Sequence, residues 1–279
     1  RNIKDTLVIT GPPGSGKTLL LIARARWLAS IHQNSTIKVI AYNNLLVSYL
    51  SDLVQDLPNV EVSTFRDFAR KRGDLIHEKD ETRALTDLNK AKRNGILKDN
   101  DAVLLDEAQD FFPAWIRYCL ETAKPNKGGI VLVGDEQQSI YRDGSFAGAF
   151  LGHDVEVTKL DKPYRCTKQI MHFAEVLSGF KDDGRGELSP DGPPVDVIFS
   201  DTWEESAQAV VWEISNMVLS GERDPGSIAV LCTQYRNMFG MIGRLLELED
   251  IPFTQVGRPP YSQEVVAGSV TISTIHSAK

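Results

Sequence analysis

The chain has 279 residues, about 42% of them apolar and about a quarter charged, which suits a soluble globular protein with room for two ordinary domains. Its net charge of -7 and pI near 5.3 argue against a protein that coats duplex DNA by bulk electrostatics. No apolar run approaches 18 residues, so no membrane partner is expected, and the N-terminus lacks the layout of a signal peptide.

In chain order, Leu7–Thr10 reads as a short buried strand and Lys17–Ser30 as a helix rich in Leu and Ala. Strand Lys38–Tyr42, helix Leu45–Val54 and strand Val60–Ser63 follow, then two apolar β-rich segments at Ala102–Leu105 and Ile130–Val133. Arg66–Lys98 carries ten basic residues with acids interspersed, which fits either a solvated helical surface or a local nucleic-acid contact. Gly179–Pro194 is dense in Gly, Pro and Asp and reads as a loop. Beyond it the pattern predicts strand Val195–Phe199, helix Glu204–Leu219, strand Ile228–Cys232, helix Asn237–Glu249, and strands Thr254–Val256 and Ser269–Ser273. Alternating strands and helices predict an α/β fold with parallel sheets, ligands lying at the carboxyl ends of the strands. Cys119, Cys166 and Cys232 stand far apart with no metal-ligand spacing, so they are expected to be reduced thiols in a cytoplasmic protein.

Three stretches carry chemistry. Gly11-Pro12-Pro13-Gly14-Ser15-Gly16-Lys17-Thr18 fits G-x-x-x-x-G-K-[ST] and lies between a strand and a helix. Its backbone N–H groups and the helix N-terminus suit the phosphates of ATP, Lys17 the β and γ phosphates, and the Thr18 hydroxyl Mg²⁺. Val103-Leu-Leu-Asp106-Glu107 is an apolar strand ending in two acids. Asp106 can hold Mg²⁺ through water, and Glu107 can take a proton from an attacking water. Alone this pair would also fit an exposed acidic turn; after a P-loop it points to nucleotide hydrolysis. Gly134-Asp135-Glu136-Gln137-Gln138 follows the next strand, and an amide there could sense the γ-phosphate.

Together these stretches resemble a superfamily one helicase of the UvrD/Rep type. Asp106–Asp110 (DEAQD) is similar to that family's D-E-x-Q-D, and Gly134–Tyr141 (GDEQQSIY) to its G-D-x-x-Q-S-I-Y. Leu160–Arg165 (LDKPYR) resembles L-x-x-N-Y-R, Ser273–Lys279 (STIHSAK) resembles T-V-H-S-A-K-G, and Val62–Phe65 (VSTF) resembles G-T-F-H. The resemblance implies two RecA-like parallel-sheet P-loop domains, 1–150 with a small helical insertion near 70–100, and 151–279. It implies Lys17, Glu107, Gln138 and Arg165 as catalytic, Arg165 reaching over from the second domain as an arginine finger. Tyr164 would stack on the nucleotide base, and Tyr42, Asn43, Thr64, Phe65, Arg66, Tyr141 and His276 would line a single strand. Each aromatic in that set fits core packing equally well.

The activity so implied is ATP-dependent translocation or unwinding on single-stranded DNA, in preference to RNA, in the 3′→5′ direction. A second reading is a nucleic-acid-sensing ATPase switch that regulates a partner such as a nuclease. A P-loop kinase of a small molecule would explain only Gly11–Thr18 and Asp106. There are departures from the family. Pro163 replaces the asparagine before Tyr164, Asp143 stands where a base-stacking tryptophan is expected, and Arg66 replaces a histidine. The adenine-reading glutamine and the last motifs are missing from the segment given, so as written it is expected to bind ATP yet hydrolyse it poorly. Both accessory subdomains are expected to be reduced.

Overall fold

The computed structural model describes residues 6–77, 80–125, 127–135, 155–179, 189–233, 238–257 and 265–275. The chain divides into two compact units, Arg1–Val195 and Asp196–Lys279.

The first unit is built on six strands: β1 (Thr6–Thr10), β2 (Ile37–Ala41), β3 (Val60–Thr64), β4 (Ala102–Leu105), β5 (Gly129–Gly134) and β6 (Val155–Lys159). They form one sheet in the order β3-β2-β4-β5-β1-β6, and every pairing is parallel. Parallel strands require crossovers, and helices supply them: α1 (Lys17–Ile31), α2 (Asn44–Val54), α3 (Phe65–Lys71), α4 (Glu81–Asn94) and α5 (Pro113–Thr122), with α6 (Lys168–Ser178) after β6. Side chains alternate across the sheet. Ile9, Val39, Leu104, Val131 and Val133 join the core under α1 and α2, while Val8, Ile40, Leu105, Ile130 and Leu132 join the core under α3, α4 and α5.

Helix starts are set by polar caps. Asn43 Oδ1 accepts from Leu46 N–H at 2.8 Å and Thr64 Oγ1 from Asp67 N–H at 3.2 Å, and Asp80, Thr167 and Thr202 do the same for later helices. Helix α4 falls within the 70–100 segment and packs on α5.

The second unit holds a three-stranded parallel sheet in the order β7-β9-β8, from β7 (Ala229–Cys232), β8 (Phe253–Val256) and β9 (Val270–Thr274). Helices α7 (Trp203–Leu219) and α8 (Met238–Leu248) pack on each other and share a core with Val270 and Ile272.

Two expectations differ from this arrangement. Val195–Phe199 forms no strand: Pro193 and Pro194 precede it, no neighbour among the described residues pairs with it, and Phe199 is 92% exposed. Strand β6, expected to lie in a second domain beginning at 151, pairs with β1, and the first unit closes at Val195. Among the described residues, no helix is long and apolar enough to cross a membrane.

Candidate nucleotide site

The sheet order sets β4, β5 and β1 side by side, so their carboxyl ends share one edge. Each end carries a polar turn: Gly11–Thr18 after β1, Asp106–Asp110 after β4, and Gly134–Asp135 at the end of β5.

The loop after β1 wraps around its own lysine. Lys17 Nζ donates to Gly11 O at 2.8 Å and Pro12 O at 2.9 Å. Burial pulls its ammonium below the ordinary lysine range, opposed by Asp135, Glu107 and Asp106 in that order, while Arg165 adds to the lowering. Gly14 has φ 69°, and a Cβ there would lie 2.5 Å from Arg165 Cβ, so this position needs glycine on both counts.

Asp106 follows directly on β4 at 1% exposure and accepts the Thr18 hydroxyl at 3.0 Å on Oδ2 and 3.3 Å on Oδ1. It also accepts Glu107 N–H at 3.0 Å. Burial, then the neighbouring Glu107, push its carboxyl up to about 7. Glu107 itself stands in left-handed backbone, φ 52° and ψ 47°. For a non-glycine residue that conformation costs on the order of 1–3 kcal/mol and recurs at functional sites.

The residues fit a phosphate chain with a cation. A buried Ser15 Oγ finds no hydrogen-bond partner among the described residues. Lys17 spends its ammonium on loop carbonyls, contacts that phosphate oxygens could replace. A divalent cation beside Asp106 would relieve the carboxyl that burial holds near neutrality. Thr18 and Asp106 are the residues that would hold it.

A family model described as AAA domain matches residues 2–143. The chain belongs to that family. The AAA domain here is a P-loop nucleotide-hydrolysing domain, of a kind found in UvrD/Rep-type helicases. The match takes in Gly11–Thr18, Asp106, Glu107 and Asp135. No curated protein matches the chain.

Tyr164 and Arg165 lie beyond the matched AAA segment but at its loop. Tyr164 N–H donates to Gly14 O at 2.9 Å, its ring is 67% exposed, and Lys162 Nζ sits 5.4 Å from the ring centroid. Arg165, expected from a second domain, stands in the same compact unit as the P-loop. The Tyr164–Gly14 hydrogen bond ties the preceding residue to that loop.

The residues proposed for a single strand fare differently. Phe65 is 2% exposed and stacks on Trp115 at 4.5 Å and 9°, so its face goes to the core and not to a base. Tyr42 is half-buried and meets Phe111 edge-on at 6.1 Å. Asn43 and Thr64 use their side chains as helix caps, and Arg66 is exposed on the first turn of α3. Within the basic segment 66–98, Lys71, Arg72 and Lys92 pair with Glu61, Asp99 and Glu121. Gln138, Tyr141, Asp143 and His276 fall outside the described residues.

Two further residues, Asp135 and Gln109, belong to the site. Asp135 heads the charges acting on Lys17, and Gln109 Oε1 accepts its N–H at 3.0 Å. Their signal was present in DEAQD and GDEQQ, but a spacing pattern does not say which amide meets which carboxylate.

Proposed function

We propose that this chain uses ATP hydrolysis to move along single-stranded nucleic acid, DNA in preference to RNA, in the 3′→5′ direction. The observation that supports the hydrolytic part most is the convergence of Lys17, Thr18, Asp106 and Glu107 at one sheet edge, with Arg165 at the P-loop rim. Glu107 takes the proton of the attacking water, and Lys17 and Arg165 meet the charge that builds on the transferring phosphoryl group. Mg²⁺, when bound at Thr18 and Asp106, neutralises phosphate charge. The exposed Tyr164 ring suits stacking on the adenine.

The nucleic-acid part is supported by the order of the motifs along the chain. It is supported also by Tyr42 and Asn43 just past the end of β2, Thr64 as the last residue of β3 and Arg66 just past it, on the same sheet edge. The parallel sheet of the second unit would serve as the second motor domain. Three free cysteines suit a reducing, cytoplasmic setting.

One observation favours a second reading, an ATPase switch that senses nucleic acid and controls a partner such as a nuclease. With Phe65 stacked on Trp115, one of the expected base platforms is spent on the core. The test is the steady ATPase rate of the full-length protein with and without single-stranded oligonucleotide. Stimulation is the expected result, and its absence with DNA and RNA alike rejects both readings. Stimulation without displacement of a complementary strand, at either overhang polarity, selects the switch.

A further inference from the structure

A buried amide ties two of the three polar turns together. Gln109 lies in the one-turn segment Ala108–Asp110 and is 2% exposed. Its Nε2 donates to Glu107 Oε2, while its Oε1 accepts Asp135 N–H at 3.0 Å. A Cβ on Gly134 would stand 2.5 Å from that Oε1, so the end of β5 is shaped around the amide. One side chain therefore touches both Glu107 and the neighbouring strand end.

The chemistry of the amide fits this task. It offers a donor and an acceptor at once and does not ionise. Glu107 is in left-handed backbone, outside any helix or strand. Gln109 engages one oxygen of its carboxylate, Oε2. A base must be held to a fraction of an ångström for proton transfer to be efficient.

We infer that Gln109 is a positioning residue for hydrolysis, one that fixes the Glu107 carboxylate and registers it to the carboxyl end of β5. The inference rests on the reading of Glu107 as the base. Its consequence is that hydrolysis depends on where the end of β5 stands, because a shift of Asp135 N–H moves the amide that orients the base.

The experiment measures kcat and KM for ATP on the full-length protein with saturating single strand. It compares Gln109→Leu, Glu107→Gln and the double variant. Gln109→Leu is expected to lower kcat roughly 10–100-fold with KM within about threefold, as loss of orientation should. The double variant is expected within about twofold of Glu107→Gln alone, because two residues acting as one unit do not add. Additive losses, an unchanged kcat, or a raised KM with kcat kept would overturn the inference. Should Gln109→Leu fail to fold, Gln109→Met keeps the length of the side chain but loses both donor and acceptor. It must show the same fall in kcat, and full activity in it overturns the inference. Near-normal turnover in Glu107→Gln alone is a distinct result: it removes Glu107 as base, and the positioning role with it.

Discussion

Two stretches of one sheet edge carry the functional candidates, and they are built in opposite ways. At the ends of β1 and β4, polar groups are buried against each other. Lys17 is wrapped in carbonyls, Thr18 is bonded to Asp106, and Asp106 is pushed up to about 7. Such a cluster is costly for the fold alone and is rewarded only when phosphate and a cation arrive. At the ends of β2 and β3 the side chains already serve the fold. Asn43 and Thr64 cap helices, Phe65 stacks in the core and Tyr42 leans on Phe111. The first stretch carries the mark of a ligand in its unmet electrostatics; the second would bind through backbone placement and Arg66.

The contrast can be broken from either side. The larger effect is expected at Phe65. Phe65→Ala should cost about 3–5 kcal/mol of stability, as truncation of a buried aromatic does. The folded fraction should bind single strand as before. Melting curves and oligonucleotide titrations read the two quantities separately. A variant that melts normally and loses strand affinity would return Phe65 to the nucleic-acid side.

The smaller effect is a gain at Asp106. Its carboxyl titrates near 7 in the fold against the ordinary 3.8, so the folded chain holds a proton that the unfolded chain has released between those values. Raised in the fold, this group contributes stability below about pH 4 and loses it as pH climbs to about 7. Asp106→Asn keeps a partner for Thr18 and removes the loss. Without nucleotide, the variant should melt above the parent at about pH 8, by a margin on the order of a few kcal/mol, and the gap should close near pH 4. Equal midpoints at about pH 8 would show that burial of Asp106 carries no such penalty.

Much of this was legible in the sequence for a physical reason. Backbone-driven features have fixed spacing: the strand–loop–helix of Thr6–Ile31, the apolar run into Asp106, and the alternation that gave β2, β3, β5 and β9 to within a residue or two. The short helices α3 and α5 were harder, because their apolar residues follow directly on a strand or a turn. Val195–Phe199 misled because an apolar run becomes a strand only with a neighbour to pair with. Phe65 shows the limit for sites. Its motif matched a strand-binding pattern, yet which way a ring faces depends on Trp115, fifty residues on, which no local spacing reveals. Gln109 was visible as a letter in DEAQD, but its link to Asp135 required the adjacency of β4 and β5.

The central claim, that nucleotide state drives a grip on nucleic acid, is tested most directly by the affinity of a labelled single strand for the full-length protein. It should be measured in three states: nucleotide-free, with ADP, and with ATP held unhydrolysed by Glu107→Gln. Coupled sites typically change each other's affinity about 5–150-fold, so the ATP and ADP states should differ within that range. Equal strand affinity in all three states would contradict the account, because a ligand indifferent to the nucleotide cannot be moved, or sensed, by its hydrolysis.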